Sequence, residues 1–225
     1  MIELQLPDRR LSLLCLGAHP DDIEIGCGGT LLTLTKARPI TARAVVLTGN
    51  TSRRQDALGA FPRFCPTADV DVTVLDLPDG RLPGHWDAVK QALEDVATTV
   101  RPDLIFAPRR DDAHQDHRLI AQLVPTVWRD SLVLGYEIPK WDGDFGRVTH
   151  YVPVLTDDAL QKVELLDSCF ASERSRSWWS AETFLGVMRL RGMECRHRYA
   201  EGFVVDKAVV ALHGGGQIDD VTEMD

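Results

Sequence analysis

The chain opens its regular pattern with an unbroken apolar run, Leu11 to Gly17 (LSLLCLG), of the length and character expected of a strand covered on both faces. The run stops at AHPDD and a glycine-rich turn, after which Gly26 to Lys36 (GCGGTLLTLTK) reads as a helix. Arg43 to Thr48 (RAVVLT), Asp71 to Leu75 (DVTVL) and Asp103 to Ala107 (DLIFA) are short β-branched or apolar stretches bounded by turn residues, and so read as three further strands. Trp86 to Val100 spaces Val89, Leu93, Val96 and Val100 for one helix face, and helical periodicity returns from Gln115 to Asp130. Strands at Leu132 to Tyr136 and His150 to Leu155 close the sheet, separated by the turn-rich segment Glu137 to Arg147. Asp157 to Ala171, with Asp157 as its cap, and Ala181 to Gly192 complete the helices. This alternation predicts an α/β fold, a Rossmann-like three-layer sandwich around a mostly parallel sheet, in a single domain. We place that domain at residues 1–205. Residues 206–225, with three consecutive glycines and four acidic residues from His213 onward, form a C-terminal extension expected to be a mobile end or an intersubunit arm.

Composition narrows the function. Of 225 residues, 25 are Lys or Arg and 34 are Asp or Glu, a net charge of −9 with His neutral, and no basic run interrupts this balance. Nucleic acid and anionic membrane surfaces are therefore poor partners. The eight-residue apolar run ending at Ala18 is too short to span a membrane and lacks the layout of a signal peptide. Five cysteines without a C-x-x-C pair indicate neither a disulfide framework nor a thiolate zinc site, which points to the reducing cytoplasm.

Candidate chemistry gathers in two places. AHPDD puts His19, Asp21 and Asp22 just past the first strand, the edge where open α/β sheets bind ligands. An imidazole and a carboxylate from one tight turn suit a divalent ion, while a neighbouring carboxylate is free to move protons. Helix capping is the plainer role for the two aspartates. DDAHQDHR follows the fourth strand at the same edge and adds Asp112, His114, Asp116 and His117. Three residues apart, the two histidines face one side of a helix start, where one can bind metal and the other touch substrate. Asp112 either caps that helix or supports a ligand.

These motifs resemble the zinc-dependent de-N-acetylases of the PIG-L and LmbE-like type, which act on N-acetylglucosaminyl and related substrates. The resemblance rests on AHPDDIE (18–24) and HQDHR (114–118), and extends through GCGGTL (26–31), a helix start near Arg53 and the late block RGMECRHRYAEGF (191–203). It implies His19, Asp22 and His117 as zinc ligands, Asp21 as general base, and His114 as a second catalytic imidazole oriented by Asp116, which would favour its charged form. Three protein ligands leave room for a water and the acetamide oxygen, as a catalytic zinc requires. The implied function is removal of an acetyl group from an N-acetylated amino sugar or glycoside, with a homo-oligomer as the family's precedent. Two other readings use the same residues. The set His19, His117 and Asp22 also suits a 2-His-1-carboxylate Fe2+ oxygenase, although Asp21 beside it favours hydrolysis. The pocket could also belong to a metal- or sugar-binding module without turnover, against which the intact set Asp21, His114 and Asp116 argues.

Weaker signals remain. Gly26, Gly28 and Gly29 fail the dinucleotide fingerprint at Leu31 and serve better to let the helix approach the sheet. Arg53 is the candidate to bind a substrate hydroxyl or phosphate, with Arg54 one register away and Arg109 and Arg110 as further anion-binding candidates. Trp141, near Asp142 and Asp144, is a candidate platform for a sugar ring. Trp178 and Trp179 read as packing residues, and His85, His150, His197 and His213 have no ligand-spaced partners.

Overall fold

The computed structural model describes residues 3–210, so most of the C-terminal extension lies outside the described residues. The strands are β1 (Leu11–Gly17), β2 (Ile40–Val46), β3 (Asp69–Val74), β4 (Leu104–Pro108), β5 (Leu132–Tyr136), β6 (His150–Val154) and β7 (Tyr199–Val204). The helices are α1 (Asp22–Ala37), α2 (Thr51–Phe64), α3 (Trp86–Thr99), α4 (Gln115–Val127), α5 (Thr156–Cys169) and α6 (Ala181–Cys195). One sheet holds all seven strands in the order β3-β2-β1-β4-β5-β7-β6. The first five are mutually parallel. β7 runs antiparallel to both β5 and β6. The predicted α/β sandwich with a mostly parallel sheet is therefore the fold, but β6 does not follow β5 in the sheet. β7, which the hydrophobic pattern did not mark, lies between them.

Alternation along β1 shows how the two outer layers are made. Leu11, Leu13 and Cys15 face the core shared with α1 and α2, whereas Leu14 and Leu16 face the core built with α3 and α4. Because both faces are covered, the strand reads as continuously apolar. β1 pairs with β2 on one side and β4 on the other, so the chain reverses its winding direction at β1. The crevice beyond the carboxyl ends of β1 and β4 is the switch point of the sheet.

The expected glycine-rich turn is instead part of a helix. α1 begins at Asp22 and bends at Cys27 (φ −139°, ψ 15°). The bend frees backbone groups that two buried side chains recover. Glu201 of β7 accepts hydrogen bonds from the Gly29 and Thr30 amides at 2.9 and 2.7 Å. Lys162 of α5 donates to the Ile25 carbonyl and to Glu201. A Cβ on Gly26 would stand 2.3 Å from the Tyr136 ring, and one on Gly28 2.7 Å from Phe64, so these glycines permit close packing, as expected. Asp157 is not the cap of α5: Leu155 holds the N-cap position, and Asp157 lies in the first turn.

Candidate metal centre and active site

The turn after β1 folds back on itself. Asp22 Oδ2 accepts a hydrogen bond from the His19 amide at 2.8 Å, which fixes the orientation of its carboxylate. Asp21, at the N-cap position of α1, makes no capping bond with its side chain and sits at φ 121°, a conformation that L-residues rarely adopt. Backbone strain at this residue aims its carboxylate away from the helix amides. On the other side of the crevice, His114 is the N-cap of α4 and its Nδ1 accepts from the Asp116 amide at 3.2 Å. Asp112 is thus not the cap. Its Oδ1 accepts from the His114 amide at 2.7 Å and its Oδ2 lies 3.1 Å from His117 Nδ1, the second of the roles open to it.

The two clusters meet. His19 Nδ1 is 3.4 Å from Asp22 Oδ2, His117 Nε2 is 3.2 Å from the same oxygen, and the two nitrogens are 3.3 Å apart. An ion with tetrahedral donors at about 2.0–2.1 Å would hold those donors about 3.3 Å apart, so this triangle fits zinc. The far nitrogen of each ring faces a carboxylate, Asp112 for His117 and Asp79 Oδ1, at 3.1 Å, for His19. Neither contact is a hydrogen bond, since both ring nitrogens are buried without a hydrogen-bond partner. His114 completes the wall, its ring centre 4.7 Å from that of His19 and 4.8 Å from that of His117.

The charges follow the geometry. Burial opposes protonation of His19, but Asp22, Asp116 and Asp79 outweigh it and push it up to about 12. His117 is raised to about 9 in the same way, burial being overcome by Asp22 and Asp112. Asp22 is buried too, yet the two imidazoles hold it well below the usual carboxylate range. Asp21 is pushed well above that range, chiefly by burial and then by Asp22, with Arg53 opposing. His114 is lowered by burial and by its two histidine neighbours, and the raising effect of Asp116 is smaller. Asp116 does favour the charged form, as expected, but burial and the two neighbouring imidazoles outweigh it. The ring is held neutral, and because Nδ1 accepts from the Asp116 amide, Nε2 carries the hydrogen. The Asp116 carboxylate does not touch that ring. It binds the Gly80 and Leu82 amides at 2.8 and 3.1 Å and approaches His19 Nε2 at 3.5 Å.

Arg53 arrives from α2 at the same edge. Its guanidinium lies 3.5 Å from Asp21, 3.7 Å from Asp79 and 3.5 Å from Glu173, and donates to the Pro20 carbonyl. Asp79 and Glu173 were not singled out in the sequence. Asp79 lies in the turn DLPDG that follows β3 at the ligand-binding edge, a usable signal, whereas nothing local marks Glu173. Trp141 is 65% exposed, donates from its indole to Ser177 and meets Trp178 edge to face. Its loop, 137–147, is anchored from below. Arg191 holds Glu137 with two bonds of 2.7 and 2.8 Å and also binds the Gly146 carbonyl, and Arg109 binds the Asp144 carbonyl. Arg109 is thus buried in scaffolding, and Arg110 pairs with Asp206. Lys140 of the loop reaches Asp112 at 3.0 Å and Asp144 at 2.7 Å. Trp178 and Trp179 pack with Phe184 as expected, and all five cysteines are free thiols.

A family model described as GlcNAc-PI de-N-acetylase (PIG-L) matches residues 14–128, the stretch that carries both clusters. An uncharacterized deacetylase of Escherichia coli K12, YaiS, is 29% identical over 149 residues, covering 61% of this chain and 79% of its own. The diacetylchitobiose deacetylase of Thermococcus kodakarensis is 26% identical over 221 residues, covering 84% of this chain and 81% of its own. Among solved structures, the 4-carboxy-2-hydroxymuconate hydratase GalB of Pseudomonas putida KT2440 superposes with a TM-score of 0.73 at 18% identity, covering 91% of this chain and all of that one. At that identity the likeness concerns the fold alone, and the chemistry has to be argued from the site.

Proposed function

The chain belongs to the PIG-L de-N-acetylase family, and on that premise we propose that it is a metal-dependent hydrolase removing the acetyl group from an N-acetylated amino sugar or glycoside. One observation supports this most strongly: His19 Nδ1, Asp22 Oδ2 and His117 Nε2 form a triangle of 3.2–3.4 Å edges, with Asp21 buried alongside. Two imidazoles and one carboxylate suit zinc, which when bound would lower the pKa of a water and polarise the amide carbonyl.

The remaining work falls to the protein's own residues. Asp21, raised by burial, accepts the proton of the water that attacks the acetyl carbon and returns it to the departing amine nitrogen as the C–N bond breaks. Acetate and the free amine are the products. A raised carboxyl is suited to both halves of that transfer. His114 donates from Nε2 to the carbonyl oxygen as negative charge develops there, a role for a neutral imidazole. Asp116 sets the direction of that donor through its amide. Arg53, held between Asp21 and Glu173, and Trp141, whose exposed ring can stack on sugar C–H groups, are the proposed substrate contacts.

The test is release of acetate and free amine from diacetylchitobiose and simple N-acetylglucosaminides by zinc-loaded protein, under anaerobic conditions. We expect turnover that is lost on chelation, restored by zinc, and slowed at least about a hundredfold in Asp21→Asn. Absence of acetate from all of these compounds, or a full rate in stripped protein, would overturn the proposal.

A further inference from the structure

We propose a second, weaker binding site for a zinc-type divalent ion on the far side of the His19 ring, formed by His19 Nε2, Asp79 and Asp116. It rests on the metal reading above only in sharing His19, whose Nδ1 belongs to the first set.

The geometry carries the case. His19 is 9% exposed, and its Nε2 is buried without a hydrogen-bond partner. Two carboxylate oxygens nevertheless stand close to it, Asp79 Oδ1 at 3.1 Å and Asp116 Oδ2 at 3.5 Å. Distance is therefore not what denies the bond; direction is, since neither oxygen lies near the ring N–H axis. Oxygens flanking that axis are placed as the ligands of an ion seated on it would be. One donor atom from each of the three residues lies within 4.8 Å of the others.

The supports of this trio are already in place. Asp116 is fully buried and held by the Gly80 and Leu82 amides, the same turn that presents Asp79. Arg53 touches only the other oxygen of Asp79, at 3.7 Å, leaving Oδ1 toward the imidazole. The comparable off-axis contact at His117 Nδ1 is different. Its carboxylate, Asp112, is neutralised by Lys140 at 3.0 Å, and that ammonium would repel a second cation. One imidazole nitrogen with two carboxylates is a donor set for a zinc-type ion.

Binding balances simply. The ion displaces the Nε2 proton to solvent, and with both sites filled His19 bridges the two ions as an imidazolate. Mutual repulsion of the ions and the 61% exposure of the Asp79 side chain make the second site the weaker of the two.

The test is zinc stoichiometry and affinity, by equilibrium dialysis and titration calorimetry on the full chain, with Co2+ absorption as a second readout. Two equivalents are expected, the second at least tenfold weaker. Asp79→Ala should weaken that second class by a further tenfold or more and leave the first within a few-fold. A single equivalent in the parent protein, or a second equivalent unaffected by Asp79→Ala, would overturn the second site alone. Zinc binding that persists undiminished in Asp22→Ala and His117→Ala would instead overturn the first-site assignment.

Discussion

At the scale of single residues, the proposed chemistry depends on two carboxylates that adjoin in sequence and differ in surroundings. Asp22 faces two imidazoles and stays ionised, while Asp21 is buried beside that charge and is pushed toward its neutral form. Asp21→Asn keeps the shape and removes the proton acceptor. Its kcat should fall by roughly 10²–10⁴-fold while zinc affinity stays within a few-fold, as separate rate and binding measurements would show. Lys140 acts at one remove. By pairing with Asp112 it fixes the carboxylate that faces His117 Nδ1. Lys140→Met should therefore weaken zinc binding by up to about 10-fold, the low end of the cost of losing outer support, and competition with a calibrated chelator would measure it. Both motifs were legible as sequence because their residue types are chemically distinctive. The loop lysine was not, since a single Lys in EIPKWDGD reads as surface until its distance to Asp112 is known.

At the scale of elements, the bend in α1 is the feature on which the site rests, because Asp22 opens that helix. Two buried side chains compensate the bend: Lys162, which donates to the Ile25 carbonyl, and Glu201, which accepts from the Gly29 amide. Lys162→Met removes one partner of a buried pair and should destabilise the fold by about 3–5 kcal/mol, measurable by denaturant titration. Gly26→Ala would drive a methyl into the Tyr136 ring, whose hydroxyl binds the Leu16 carbonyl at the base of the crevice, and should cost about 1–3 kcal/mol. The same arrangement explains the missed strand. β7 (YAEGFV) has a glutamate at its centre, which breaks the apolar pattern of a buried strand, yet Glu201 is buried among helix amides rather than facing water. α2 escaped for another reason: its first six residues are all polar, and Gly59 and Pro62 weaken the helical signal of the rest. Only its start near Arg53 was marked.

At the scale of the whole molecule, the pocket stores acid. In the metal-free chain at pH 7, His19 (about 12) and His117 (about 9) are both protonated. Filling the first site must therefore release about two protons, which calorimetry across buffers of different ionisation enthalpy would count. Release should fall toward one above about pH 9, and zinc affinity should drop about a hundredfold per unit as pH falls below it. The sign for stability follows from the raised values. The ion pairs of these imidazoles stabilise the metal-free fold fully below about pH 6.5, and that contribution is lost as pH rises through 9 and then 12. Bound zinc should replace it, raising stability by about 2.7 kcal/mol at a hundredfold excess over Kd.

The amino-acid sequence by itself determined the strand–helix alternation, the edge of the sheet that carries the chemistry, and the two motifs that supply it. Each of these is a local property, set by periodicity of 2 or 3.6 and by residue type. Only the tertiary structure decided which nitrogens and oxygens converge, that burial and its neighbours lower the His114 imidazole, that the Asp116 amide donates to that ring, and that Asp79, Lys140 and Glu173 lie at the site. Those outcomes depend on distances between segments far apart in the chain and on burial, which sets the cost of each charge, and neither is written in any local pattern.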